Sequence, residues 1–483
     1  MIQTPALTSP KTQAQPQYEI TEKDKKRAKS IAFAWKAYEG ELDPPLEKMP
    51  GHPDDNVLSN RMQPVVDRGV EFLFGKELEI SVGQDAPEAQ ELLNTAWGRK
   101  EKRVTLLQKL AMNGAIAGSA FLRIVPEPNG SFRLVLVDPA IVYVQTAPQD
   151  CDTVTLYCLQ YRVQEQSDGV RPNEVYYREE IARIDADQDG DDGDPFADTD
   201  AQWRIQHWSR KEDQETWTAS GDPIIWPYPF PPLFSCQNLL KPNDFWGYPD
   251  ITPDLIGVNN SLNLVQSDIN RTLKLYGNPM LYSVGIGEQI IDVKPGKITQ
   301  LPTPESKIEA VNIVSDVANG LTFAANLRSD IDEQSGVPAV ATGRIADLPR
   351  GNMSGIAIEL LFMPILKKTD KKRCLYGELI IDVSQALLVL SGMNGDSTIN
   401  LPWQSPLPSG DLQSVQAAQL KKQIGISNQT LQRELGYDPV EEAEFNQQED
   451  AQQLIAYSRG QGLPPMPPQQ QMQPGEPSQG GGQ

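Results

Sequence analysis

The densest group of metal-ligating side chains in this chain is an acidic run, Asp185-Ala-Asp187-Gln-Asp189-Gly190-Asp191. Asp185, Asp187 and Asp189, with the glycine that follows, match the first, third, fifth and sixth positions of a calcium-binding loop. Such a loop closes on a bidentate carboxylate at its twelfth position, and here that position is Phe196. The flanking segments also read as strands rather than helices. The run is therefore expected to be a solvated acidic loop, with a divalent-ion site as the second reading.

Other reactive constellations are missing. The only histidines, His52 and His207, stand in no HExxH pattern and beside no cysteine pair, which removes the usual basis for zinc hydrolysis or a histidine-based triad. Cys151, Cys158, Cys236 and Cys374 form no CxxC pair and no disulfide framework, a usage that suits a reducing compartment. The nearest approach to a phosphate-binding loop, Gly296-Lys297-Ile298, lacks both the upstream glycine and the hydroxyl. The expectation is a protein with no catalytic activity and no cofactor.

Charge narrows the function further. There are 43 Lys and Arg residues against 65 Asp and Glu, a formal net charge of −22 over 483 residues. That balance argues against a broad basic face gripping nucleic acid, but not against a surface past which DNA must move. Basic residues do concentrate at Lys367, Lys368, Lys371, Lys372 and Arg373. That cluster reads first as a solvated helix face, and otherwise as a contact for phosphates or an acidic neighbour. The opening residues lack the apolar core of a secretory leader, and Leu379–Leu390 is too short and too charged to span a bilayer.

The elements that would position these residues are legible in blocks. Helical periodicity dominates residues 20–125. A hairpin follows, with strands at Phe121–Val125 and Phe132–Val137 around an Asn129-Gly130 turn, and further short strands run to about residue 240. Then Ile251, Leu255, Val258, Leu262, Val265 and Ile269 make one apolar stripe along a long helix, with Thr252 as N-cap, Pro253 at the first turn and Gly277 beyond the end. The opposite side, with Asn260, Asn263, Ser267, Asn270, Arg271 and Lys274, is expected to face water. A second helix runs from Asp316 to about Gln334. The period-less 341–355 segment is a loop, and a third helix from Ser354 to Leu390 should kink at Pro364. Both chain ends are poor in core-forming residues and read as disordered.

This order of elements resembles that of the portal proteins of tailed bacteriophages. The resemblance rests on several segments in sequence. They are Asn60–Asp67 leading to Phe74-Gly75-Lys76; Gly118-Ser-Ala-Phe-Leu-Arg-Ile with the Asn129-Gly130 hairpin and Val137-Asp-Pro139; and Trp246-Gly247-Tyr-Pro-Asp-Ile251. Further along come Gly277-Asn-Pro279, Ser335-Gly-Val-Pro338, Ser354-Gly355-Ile-Ala357, and Gly425-Ile-Ser427 with Asp438-Pro439-Val-Glu441. Tyr248-Pro249 stands where the family more often has serine.

The resemblance implies an α+β protomer. Its parts are a disordered arm over 1–19, an α/β wing over 20–249, stem helices over 250–277 and 315–336, and a small β-rich clip over 278–314. A tunnel-loop region follows over 337–353, then a long kinked helix over 354–392, a helical crown over 393–458 and a disordered tail over 459–483. It further implies a ring of about twelve copies at one capsid vertex of the virion, assembled in the host cytoplasm. Expected partners are the major capsid protein, a scaffolding protein, the large terminase and a head–tail adaptor, with double-stranded DNA passing through without sequence specificity and no membrane involved. Arg344, Arg350 and Asn352 on the tunnel loop, then Arg271 and Lys274 on the stem, are the expected DNA-channel residues, with intersubunit salt bridges as the other use of the loop arginines. Gly343, Gly351, Gly355 and Pro364 are the expected hinge and kink positions.

Two rival readings remain at this level. One is a metal-dependent nucleic-acid enzyme using Asp185, Asp187 or Asp189, and the other is a head–tail adaptor or minor capsid protein. Calorimetric titration with calcium is expected to show no heat that depends on the acidic run. A binding signal abolished by Asp187→Ala would instead establish an ion site there.

Overall fold

The computed structural model describes residues 15–48, 55–83, 86–167, 170–184, 202–277, 281–284, 305, 307–310, 317–344, 355–407, 421–422, 427 and 430–432. Contacts divide the chain into two compact units, 1–406 and 407–483.

Unit one begins with helices. Helix α1 (Glu22–Glu39) is opened by a capping box in which the Thr21 side chain accepts from the Asp24 amide and the Asp24 carboxylate accepts from the Thr21 amide. After it come α2 (Met62–Phe74), the short strand β1 (Ser81–Val82), α3 (Pro87–Trp97) and α4 (Lys100–Ala117). Strands β2 (Ser119–Pro126) and β3 (Phe132–Val137) form the expected hairpin, with Gly130 in the left-handed conformation at φ 84°. A run of strands follows, β4 (Val142–Ala147), β5 (Asp150–Ser167), β6 (Val170–Ile184), β7 (Gln202–Lys211), β8 (Thr218–Ala219), β9 (Ile224–Trp226) and β10 (Leu233–Gln237). Strands β4 to β8 lie in sequential antiparallel order, with β9 also pairing with β7, while β10 joins the hairpin in the order β10-β2-β3.

Three helices complete the unit. Helix α5 (Pro253–Gly277) and α6 (Val317–Ser335) pack together, with the two-stranded ladder β11 (Leu281–Val284) and β12 (Lys307–Ala310) between them in sequence. The ends of α5 and α6 show that they run antiparallel: Gly320 lies against Ile269, whereas Lys368 reaches both Asp250 and Ser335. Helix α7 (Gly355–Leu390) passes through Pro364 without losing its helical backbone, and β13 (Ile399–Asn400) returns to pair with β1.

Two cores hold this together. Met62, Phe74, Leu107, Ile116, Leu255, Tyr376, Ile380 and Leu387 belong to a helical core. Phe121, Tyr157, Ile181 and Trp203 belong to a core on the sheets. Each large side chain removed from water there contributes on the order of 1.5–3 kcal/mol. Arg123 on β2 links the sheets by chelating Glu179 on β6 with two contacts of 2.6 Å.

Three local expectations change. Gln17 and Tyr18, read as part of a disordered arm, are tied down: their amides donate to Glu180 and the Tyr18 carbonyl accepts from Arg178. Residues 393–406, read as the start of the crown, belong to unit one, where Ile399 pairs with Val82 and Trp403 packs on Phe74. The side of α5 expected to face water is in part buried. Asn259, Asn263 and Ser267, one turn apart, accept from the amides of Arg61, Ser59 and Val57 at 3.2, 2.7 and 2.9 Å. An extended chain aims alternate amides the same way about 6.6 Å apart, and a helix repeats every fourth residue over about 6 Å. The two periods nearly match, so the helix zips the extended segment along itself.

In the second unit, Ser427 accepts from the Thr430 amide at 3.3 Å, as the cap of the helical residues that hold the buried Leu431. Most of the expected crown, and all of 459–483, lie outside the described residues, as does most of the expected clip.

Replacing Asn263 with leucine leaves the half-buried Ser59 amide without its acceptor. The expected cost is about 1–3 kcal/mol, read by urea unfolding, with faster amide exchange confined to residues 55–61.

Candidate functional site

One buried junction fixes where the first stem helix begins. Residues 246–250 run beneath the hairpin, where Gly247 and Gly118 meet backbone to backbone. A Cβ on Gly118 would fall 2.4 Å from the Gly247 carbonyl oxygen, and one on Gly247 would fall 2.5 Å from the Gly118 carbonyl oxygen. Gly118 is also left-handed, at φ 88°, so both positions require glycine. The Gly247 amide donates to the Ser119 hydroxyl and the Asp250 amide to the Ala115 carbonyl. Two motifs far apart in sequence thus form one seam.

Asp250 is delivered into the interior by this seam. Its carboxylate contacts Lys372 directly and lies 3.0 Å from Lys368, both on α7, and it accepts from Asn238 at 3.3 Å. Asn238 in turn accepts from the buried Tyr376 hydroxyl. Lys368 also donates to the carbonyl of Ser335 at the end of α6, so one lysine gathers the start of one stem helix and the end of the other.

Burial alone would raise the Asp250 carboxyl, but the two ammonium groups outweigh it and hold it down at about 2. Burial pushes the Lys372 ammonium down, with Asp250 opposing and Lys368 adding to the depression. Tyr376 is pushed well up by burial first and then by the neighbouring Cys236 and Asp250. The lysine cluster expected to be a solvated helix face is therefore divided: Lys372 is buried in an ion pair, and Lys371 faces outward.

Further along the stem, Arg271 is engaged within its own chain. Its Nε donates to Asp55, its Nη1 to Asp268 and its Nη2 to Asn56 and the Glu47 carbonyl. That occupies four of the five guanidinium N–H donors. Lys274, one turn on, lies 3.9 Å from Asp55 and keeps its side chain 57 % exposed. At the other end, a 3-10 turn over Ala339–Thr342 closes on Gly343, which is left-handed at φ 84°. There Arg344 pairs with Asp332 of α6. Arg350, Asn352 and Gly351 lie outside the described residues, as do Asp185, Asp187, Asp189 and His52, while Gly355 is the first residue of α7.

Among the described residues, one group has metal-ligand spacing, Asp150, Cys151 and Asp152 at the start of β5. Asp150 already accepts from the Thr153 hydroxyl and the Asp152 amide, which is a turn's own bonding. A cleft of about 590 Å³ opens between α1 and residues 243–249. Two of its ionised groups are engaged: Arg27 donates to the Pro139 and Val142 carbonyls under Trp246, and Asp24 accepts from Thr21 and Tyr18. No helix among the described residues is long and apolar enough to cross a membrane.

The α+β class is what the portal resemblance implied. The family model for phage portal proteins of the SPP1 Gp6-like type matches residues 18–454, and the chain belongs to that family. Among solved structures, the chain is similar to one from the virion of a native gene transfer agent particle. The identity is 15 %, the TM-score is 0.42, and the match covers 85 % of this chain and 94 % of that one. It is also similar to one from the neck of such a particle computed with twelve-fold cyclic symmetry, at 15 % identity and a TM-score of 0.39, covering 78 % and 90 %. No curated protein matches the chain.

Sequence reasoning missed both Asp250 and the polar ladder on α5. The four-residue spacing of Asn259, Asn263 and Ser267 was the available signal for the ladder. Nothing local marked Asp250 as buried.

Asp250→Asn leaves two ammonium groups facing a neutral amide and is expected to cost about 3–5 kcal/mol at neutral pH. The ionised Asp250 stabilises the fold fully above its ordinary value of 3.8, and that contribution is lost as pH falls towards about 2. The stability gap between the parent chain and Asp250→Asn, read by urea unfolding, should accordingly narrow over that interval.

Proposed function

We propose that this portal-family chain assembles into a closed ring of about twelve copies at one capsid vertex and conducts double-stranded DNA during packaging and ejection. The observation that carries this reading is the match of the portal family model over residues 18–454. The stem pair α5–α6, anchored through Lys368 to the long helix α7, supplies the rods that such a conduit needs.

Charge supports transit rather than grip. Twelve copies at −22 each sum to roughly −264, a field that repels a phosphate backbone and leaves duplex free to slide. A few basic or polar side chains then suffice to centre it. We assign that task to Arg350 and Asn352 on the loop and to Lys274 on the stem. Arg344 and Arg271 brace the loop base and the stem end through Asp332 and Asp55. Gly343 closes the turn after the second stem helix, and Gly355 and Pro364 lie in the helix that follows. In this reading the 278–314 segment docks the large terminase and later the tail adaptor. The wing meets the capsid and scaffolding proteins, and the finished ring resides in the virion after assembly in the host cytoplasm. The proposed role is structural and requires no cofactor.

Native mass measurement of the purified chain should show a species near 640 kDa, twelve times 53.5 kDa, with a central hole by electron microscopy. A uniform monomer without a hole would refute the ring. In a packaging assay, Lys274→Ala/Arg350→Ala should leave ring mass unchanged and reduce packaged DNA. Full-length packaging by that variant would remove these residues from the channel.

A further inference from the structure

Helix α6 carries opposite charge on its two exposed flanks. Its buried stripe is Ala324, Leu327, Ile331 and Ser335. On one side of it, Arg328 and Asp332 stand four residues apart and share a flank, and Arg344 pairs with Asp332. Arg61, at the start of α2, faces the same cluster, because α2 packs on the 3-10 turn that presents Arg344. Burial and the nearby guanidinium groups of Arg328 and Arg344 push Arg61 below its ordinary value, with Asp332 opposing. Among the described residues, three arginines thus converge on one carboxylate. The Nε atoms of all three are buried and have no hydrogen-bond partner.

The other flank is its complement. Asp330 and Glu333 are exposed there and form no ion pair with another described residue. Each flank also bears one exposed apolar side chain seven residues before its leading charge, nearly two helical turns. Leu321, 57 % exposed, precedes Arg328, and Phe323, 52 % exposed, precedes Asp330. A single helix therefore offers an apolar-plus-basic side and an apolar-plus-acidic side.

We infer that the basic flank of α6, Leu321 and Arg328 with Arg61, is completed by the acidic flank of a second copy of this chain, its Phe323, Asp330 and Glu333. This rests on the ring reading, since a closed ring joins unlike faces of identical copies head to tail. The alternative occupant is the DNA backbone. The half-buried state of Arg61 and Arg328 favours protein, because a fixed dry guanidinium suits a stationary carboxylate better than a duplex that must slide.

The test uses full-length chain and native mass measurement of the ring, with circular dichroism as the folding control. Arg328→Glu and Asp330→Arg should each lower ring yield about tenfold at equal concentration. Asp330 is exposed, so Asp330→Arg should keep the fold whatever Arg328→Glu does. An equal mixture of the two variants should restore rings, because alternating copies bring opposite charges together at every contact. The double variant Arg328→Glu/Asp330→Arg should do the same within one chain. Rings at parental yield in both single variants, or failure of the mixture and of the double variant to restore them, would overturn the inference. So would intact Arg328→Glu rings that retain less DNA, which would assign the flank to the duplex. Absence of rings from the parent chain would overturn the ring reading itself.

Discussion

A carboxylate held between two ammonium groups in the interior is the constraint on which the arrangement of this molecule depends. Asp250 ends the segment that threads under the β-hairpin and begins the stem, while Lys368 and Lys372 lie one turn apart on α7. Charges so far from water are tolerable only when each has its partner, so the junction admits little variation in where α5 starts relative to α7. Lys368 extends the same constraint to α6 by binding its last carbonyl. Three helices from separate parts of the chain are thereby set by one ionic cluster. An apolar core alone would be more forgiving, since hydrophobic packing is non-directional.

The second constraint is backbone satisfaction. Residues 55–61 form no helix or strand, and the amides of Val57, Ser59 and Arg61 find side-chain acceptors instead of backbone ones. The side chains of Asn259, Asn263 and Ser267 provide them from a helix, in near register because two extended residues and four helical ones cover similar lengths. Arg271 closes the far end of this zipper on Asp55 and the Glu47 carbonyl. Polar residues on the stem thus have an internal task before any external one, and Lys274 is the stem cation left mostly in water.

These features bear on what the family assignment means physically. On the proposed reading, the ring lets a polyanion move through it while its own copies stay joined. Net negative charge serves the first need, and localised basic groups paired with carboxylates serve the second. Several arginines of this chain fall into such paired positions: Arg123 with Glu179, Arg271 with Asp55 and Arg344 with Asp332. Those basic residues of an acidic chain act as structural clasps.

Local signals in the sequence determined the helices and their ends, the Asn129-Gly130 hairpin, the mixed fold class and the family. Thr252, Pro253 and Gly277 bounded α5 because capping and proline act within one turn. What could not be read there was every partnership across long sequence separations. The lysine cluster read as solvated because periodicity gives a helix face but not what covers it, and Asp250 supplied that cover from 122 residues away. Asn263 and Ser267 looked like a wet face for the same reason, since an extended segment with no period of its own lay over them. The pairing of β1 with β13, which moved residues 393–406 into the first unit, joins two-residue strands with no signal of their own. Chain topology decides which buried charge meets which, and that is set by the packing of the whole unit rather than by any window of residues.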